Sequence, residues 1–140
     1  MPWCPTGFYL PEDAPAGKHP WHAAGVYYLQ EPSAMAVVEQ FPAEMQKWTA
    51  DVCAAPGGKA TQLEIRLPGG CLLVANEVVG NRIKPLGENL ERWGSDQAVI
   101  TSLDVRRLAD LPGATPARLG PLWAETSAAL SATVRSSERE

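Results

Sequence analysis

The sequence predicts an α/β domain built on about three parallel strands with flanking helices. Three short apolar runs, Trp48–Cys53, Cys71–Asn76 and Ala98–Thr101, recur along the chain. Segments with apolar residues at helical spacing separate them, and glycine or proline breaks mark the junctions. Strands that alternate with helices are the pattern of βαβ units, whose parallel strands are covered on both faces and so read as continuous apolar runs. The expected division is an extended segment over 1–30 packed on the domain, a half-domain over 31–112, and a divergent, poorly ordered tail over 113–140.

Taken in order, residues 1–22 hold Pro2, Pro5, Pro11, Pro15 and Pro20 among Gly, Asp and aromatics, which predicts an extended segment rather than a packed element. His19 and His22 have no Cys, Asp or Glu partner at ligand spacing, so no metal is expected. Gly25–Gln30 reads as a short strand or turn entering a helix. Glu31-Pro32-Ser33 starts that helix, which runs to about Gln40 with Ala36, Val37 and Val38 toward the core and ends at Phe41-Pro42. The first strand and turn follow, then a helix over Lys59–Leu67 with Ala60, Leu63 and Leu67 on one face. Pro68-Gly69-Gly70 breaks it, and the second strand leads to a helix over Gly80–Trp93. Pro85 and Gly87 fall inside this second crossover helix and predict a kink or a weakening, at about 3 and about 1 kcal/mol. The third strand is followed by Asp104, which on the residues alone reads equally as a turn or cap residue.

The chemistry concentrates in Asp51-Val52-Cys53-Ala54-Ala55-Pro56-Gly57-Gly58-Lys59. Two adjacent glycines permit positive φ and a close approach to a ligand, and the helix that starts there presents unpaired amides and a positive dipole end to an anion. The stretch is not a P-loop, because Ala60 stands where Ser or Thr must follow the lysine, and no G-x-G-x-x-G is present. Glu77 ends the second strand 19 positions after Gly58, where a ribose-binding carboxylate belongs in a nucleotide-binding βαβ unit. A nucleoside carrying a carboxylate, such as S-adenosylmethionine, fits both features. An ordinary βα turn is the other reading of the same spacing.

The nine residues from Asp51 to Lys59 resemble the cofactor-binding signature of the Nol/Nop/Sun family of RNA cytosine-C5 methyltransferases, in particular its bacterial ribosomal RNA branch. Pro2-Trp3-Cys4-Pro5, Gly7-Phe8-Tyr9, His19-Pro20, Ala24–Tyr28, Gln30–Met35, Ala75-Asn76-Glu77 and Glu88–Gly94 resemble the same branch in the same order. The resemblance runs from about Pro2 to Asp104. It implies a Rossmann-like methyltransferase fold, here incomplete, with S-adenosylmethionine as cofactor and RNA, ribosomal by family, as partner. It further implies that Cys53, Ala54, Ala55, Pro56, Gly57, Gly58 and Lys59 hold the methionine end, Glu77 the ribose and Asp104 the adenine, and that Gln30–Ser33 lies near the active site.

In this family a cysteine thiolate adds to carbon 6 of cytosine, which makes carbon 5 nucleophilic toward the methyl group. The Pro-Cys and Thr-Cys motifs that supply the two cysteines do not occur in these 140 residues. Cys53 and Cys71 read as small core residues and Cys4 as a surface one, so no catalytic residue is assigned. A truncated, frameshifted or decayed gene is the simplest account of the tail. The alternative is a non-catalytic cofactor-binding or interaction fragment, or one half of a split enzyme that meets a complementing C-terminal half.

Composition narrows the classes. Hydrophobic residues at 45% exclude a disordered main body, and 12 basic against 16 acidic residues, net −4, are not the balance of an autonomous RNA binder. Three cysteines without a C-x-x-C pair argue against a disulfide framework. No run approaches a membrane span and the start is not a signal peptide, so a cytoplasmic location is expected.

Overall fold

In the computed structural model, which describes residues 1–41 and 48–108, three parallel strands lie in the order β1-β2-β3: β1 Trp48–Asp51, β2 Leu72–Asn76 and β3 Ala98–Thr101. Thr49 pairs with Leu73 and Asp51 with Ala75, while Val74 pairs with Val99 and Asn76 with Thr101. All three strands therefore end at one edge, and the loops at that edge carry the turn 53–58, Glu77 and Asp104.

The helices follow from local chemistry. η1 Ala16–Lys18 and α1 Pro20–Ala23 are single turns within the N-terminal segment. α2 Pro32–Glu39 starts at Pro32, whose fixed φ suits the first helical position, and is capped by the Glu31 carboxylate. Glu31 accepts from the Ser33 amide at 3.2 Å and the Ala34 amide at 3.3 Å. α3 Gly58–Arg66 and α4 Gly80–Trp93 are the two crossovers, and α5 Val105–Leu108 is a short turn after β3. α4 ends on Gly94 at φ 78°, a left-handed position that a glycine reaches without strain.

The main core lies between the sheet and α2, α3 and α4. Val38, Leu63, Leu73, Ala75, Leu86 and Leu90 meet there, with Leu63, Leu73 and Leu86 fully buried. Each such leucine contributes about 1.5–3 kcal/mol relative to exposure. A smaller cluster on the other face holds Ala50 and Val52 with Val74, Leu103 and Val105.

One expectation is overturned. Cys4 is fully buried rather than at the surface: its thiol donates to Glu39 Oε1 at 3.3 Å, and Gln62 Nε2 donates to the same oxygen at 2.9 Å. Residues 1–22 are thus tied to α2 and α3, with two short helical turns. Of the strand or turn expected over Gly25–Gln30, the structure has the turn: Gly25 takes φ 75°, and a Cβ there would come within 1.8 Å of the Arg92 carbonyl oxygen. α4 runs unbroken through Pro85. The proposed tail 113–140 lies outside the described residues.

Candidate functional site

The turn after β1 is fixed from both sides. Gly57 caps α3 at φ 115°, and its amide donates to Ala54 O at 2.7 Å while its carbonyl receives the Thr61 amide at 2.8 Å. The Ala55–Pro56 peptide is cis. From α4, Arg82 Nη2 donates to Ala55 O at 2.7 Å and Asn89 Nδ2 to Pro56 O at 2.7 Å. Arg82 and Asn89 are two helical turns apart on one face of α4, so one stripe secures consecutive carbonyls. The two glycines are demanded for different reasons, Gly57 by its left-handed φ and Gly58 by its close neighbours. A Cβ on Gly58 would lie 2.8 Å from Gln30 Oε1 and 3.1 Å from Tyr28 Cε1, and one on Gly57 would lie 3.4 Å from Asn89 Cβ.

Glu77 stands at the same edge, 3% exposed. Its Oε1 accepts from the Val79 amide at 2.9 Å. The Arg82 guanidinium approaches Oε2 at 3.3 Å without hydrogen-bond geometry, so that oxygen keeps its accepting capacity. Asn76, just before it, joins the strand ends: Nδ2 donates to Val52 O at 3.3 Å and Leu103 O at 3.0 Å, and Oδ1 accepts from Thr101 Oγ1 at 2.8 Å and the Leu103 amide at 2.9 Å.

Asp51 is buried beneath the turn, with Oδ1 accepting from the Cys53 amide at 3.2 Å and Oδ2 unpaired. Burial raises its carboxyl, opposed by Lys59 and the Cys53 amide and reinforced by Glu77. The half-buried Cys53 thiol is also pushed up, first by desolvation and then by Asp51 and Glu77, which is the reverse of an activated thiolate. Asp104 follows β3 at the same edge, but its carboxylate grips Arg106, taking the backbone amide at 2.9 Å and Nε at 3.0 Å. These bonds hold its pKa at about 2.

The structure thus brings Cys53–Lys59 and Glu77 together at one edge and places Asp104 there as the cap of α5. Reading the sequence alone missed Asn76, Arg82 and Asn89 as positioning groups. The spacing of 82 and 89 on a predicted helix was the available signal for two of them; for Asn76 nothing local distinguished a clamp from a strand-end residue. His19 Nδ1 accepts from the Trp21 amide at 3.2 Å, capping α1. Among the described residues no cluster of three His, Cys, Asp or Glu side chains could hold a metal ion, and no helix is long and apolar enough to cross a membrane.

A parallel half-sheet with a glycine turn and a buried strand-end acid at its carboxyl edge is the geometry of a Rossmann-like α/β domain, and two solved structures share it. The crystal structure of NSun6 from Pyrococcus horikoshii with SFG is 27% identical with a TM-score of 0.60, covering 68% of this chain and 25% of that one. A methyltransferase homolog protein from the same organism is 26% identical with a TM-score of 0.64, covering 71% and 33%. Residues 39–118 match the family described as 16S rRNA methyltransferase RsmB/F, and residues 1–32 match the N-terminal domain of 16S rRNA methyltransferase RsmF. The chain belongs to the RsmB/F family. It is 38% identical over 112 residues to the ribosomal RNA small subunit methyltransferase F of Vibrio atlanticus, covering 76% of this chain and 24% of that protein. The Enterobacter sp. (strain 638) protein of the same name is also 38% identical over 112 residues. The chain spans about a quarter of the length of these curated relatives.

Proposed function

We propose that this chain is the cofactor-binding part of an RNA cytosine-C5 methyltransferase acting on ribosomal RNA in the cytoplasm, with S-adenosylmethionine as methyl donor. The observation that carries this reading is the buried Glu77 carboxylate, with one oxygen free of hydrogen bonds though ion-paired to Arg82, beside a helix start whose first glycine holds a left-handed φ and whose second is closely packed. The residues fit the group. The first amides of α3 receive a carboxylate, Glu77 Oε2 accepts from ribose hydroxyls, and the backbone of Cys53–Lys59 follows the ligand closely because Arg82 and Asn89 hold its carbonyls away. Asp104 takes the adenine amino group in competition with Arg106. When bound, the cofactor supplies an electrophilic methyl group.

The chain's own residues bind and orient; the Cys53 thiol is held away from the thiolate, and Cys4 and Cys71 are buried. The isolated chain is therefore expected to bind the cofactor without forming 5-methylcytosine, the nucleophile coming from a complementing part of the enzyme. Calorimetric titration tests the first half of this reading. Micromolar binding, about −8 kcal/mol, is expected for the 140-residue chain. Gly57→Asp, which strains a left-handed position and places a negative charge at the helix start, and Glu77→Ala are each expected to weaken it at least about tenfold. A folded chain that does not bind, or variants that bind as well as the parent, would overturn the assignment.

A further inference from the structure

A second concavity, outside the cofactor turn, lies between the N-terminal segment and the start of α2. It encloses about 570 Å³, and its walls include Phe8, Tyr9, Trp21, Tyr28, Gln30 and Met35. Phe8, Tyr9 and Trp21 remain 79%, 66% and 63% exposed, although water is a poor solvent for their faces. Trp21 is set by an edge contact with His19 at 5.3 Å between ring centroids. No lysine or arginine lines the cavity. We propose that this cavity is a stacking subsite for an unpaired base of single-stranded RNA.

Three features select a base over other occupants. Flat aromatic walls hold a planar ring by its faces, whatever its sequence identity. Gln30 lines the cavity and its Nε2 is buried without a partner; turned outward, the amide meets the carbonyl oxygens and ring nitrogens of a base edge, whereas an apolar side chain from another protein segment leaves it unpaired. The cavity is also continuous with the proposed cofactor site, since Tyr28 and Gln30 line it and at the same time crowd Gly58. A base held here belongs to the strand that reaches the methyl donor, and the subsite in this respect rests on the RNA-methyltransferase reading. Without lysine or arginine side chains in the wall, phosphate contributes little, which agrees with the chain's net charge of −4.

The test is titration of the full chain with a short single-stranded RNA containing 2-aminopurine, alongside cofactor calorimetry on the same samples. Quenching of the 2-aminopurine is expected on binding, with a log–log salt slope shallower than about −2. Trp21→Ala and Tyr9→Ala, both at exposed rings, are each expected to weaken RNA binding about tenfold and to leave cofactor binding unchanged, while Trp21→Phe retains it. RNA binding that ignores these substitutions, or that falls steeply with salt, overturns the subsite. So does a chain that binds cofactor but no RNA, and so does a dimer abolished by Trp21→Ala, which would make the patch a protein interface. Quenching that responds to Trp21 in a chain that binds no cofactor supports the subsite and overturns the cofactor assignment instead.

Discussion

Asn76 shows how much one polar side chain can organise. Its amide satisfies two carbonyls, an amide and a hydroxyl at the ends of β1 and β3, and so ties both to its own strand β2. Replacing it with alanine leaves several buried groups without partners, and Asn76→Ala is expected to cost on the order of 3 kcal/mol in urea unfolding. Asp51 acts in the opposite sense. Burial raises its carboxyl above the ordinary 3.8, so the folded chain holds that proton more tightly than the unfolded chain. Its contribution to stability is full below pH 3.8 and is lost as pH rises through the raised folded value. Asp51→Asn keeps an oxygen for the Cys53 amide and removes the buried charge. The variant is expected to unfold at higher urea than the parent near neutral pH and at the same urea below pH 3.8; a lower neutral midpoint would show that the ionised carboxylate is needed by the fold.

At the scale of elements, α4 carries the conflict that its sequence announces. Pro85 deletes an amide in the helix interior, yet the helix continues because Leu86 and Leu90 are buried in the core and Arg82 and Asn89 bind the turn on either side. Packing outweighs the local penalty. Pro85 is itself exposed, so Pro85→Ala restores a hydrogen bond without disturbing the core. A gain of about 1–2 kcal/mol in stability is expected, with cofactor affinity unchanged. The N-terminal segment is the second element whose behaviour is tertiary. Cys4, Glu39, Gln62 and Arg66 form one partly buried network, with Arg66 also donating to Phe41 O at 3.3 Å and ion-paired to Glu39. Gly7 is pressed against Met35 and Cys4, where a Cβ would come within 2.8 Å and 3.0 Å. Prolines and glycines therefore describe a segment with only two short helical turns, but it is a fixed one.

At the scale of the molecule, the described residues form a sheet in which β1 and β3 each pair on one side only. The chain covers 24% of its Vibrio relative, and every loop that carries a candidate binding group lies at one edge of this half-sheet. That arrangement follows from parallel strands: each crossover returns the chain to the opposite end, so successive strand ends, and the groups after them, converge.

Much of this was legible from residues alone. β3 and α4 lie where periodicity and breakers put them, and β1, β2, α2 and α3 lie within two residues of expectation at each end, because buried parallel strands and amphipathic helices write their own periods into the chain. The glycine turn was legible for a related reason: positive φ at Gly57 and close packing at Gly58 are demands that only glycine meets. What the sequence could not show depended on partners distant along the chain. Cys4 is a core thiol only because Glu39 and Gln62 close over it, Arg82 and Asn89 matter through carbonyls 27 and 33 residues away, and Asp104 spends its carboxylate on Arg106. Local chemistry determined the elements and the turn. Tertiary structure alone decided which side chains fix that turn and where an aromatic cavity opens beside it, because hydrogen bonds and burial are settled by neighbours in space rather than in sequence.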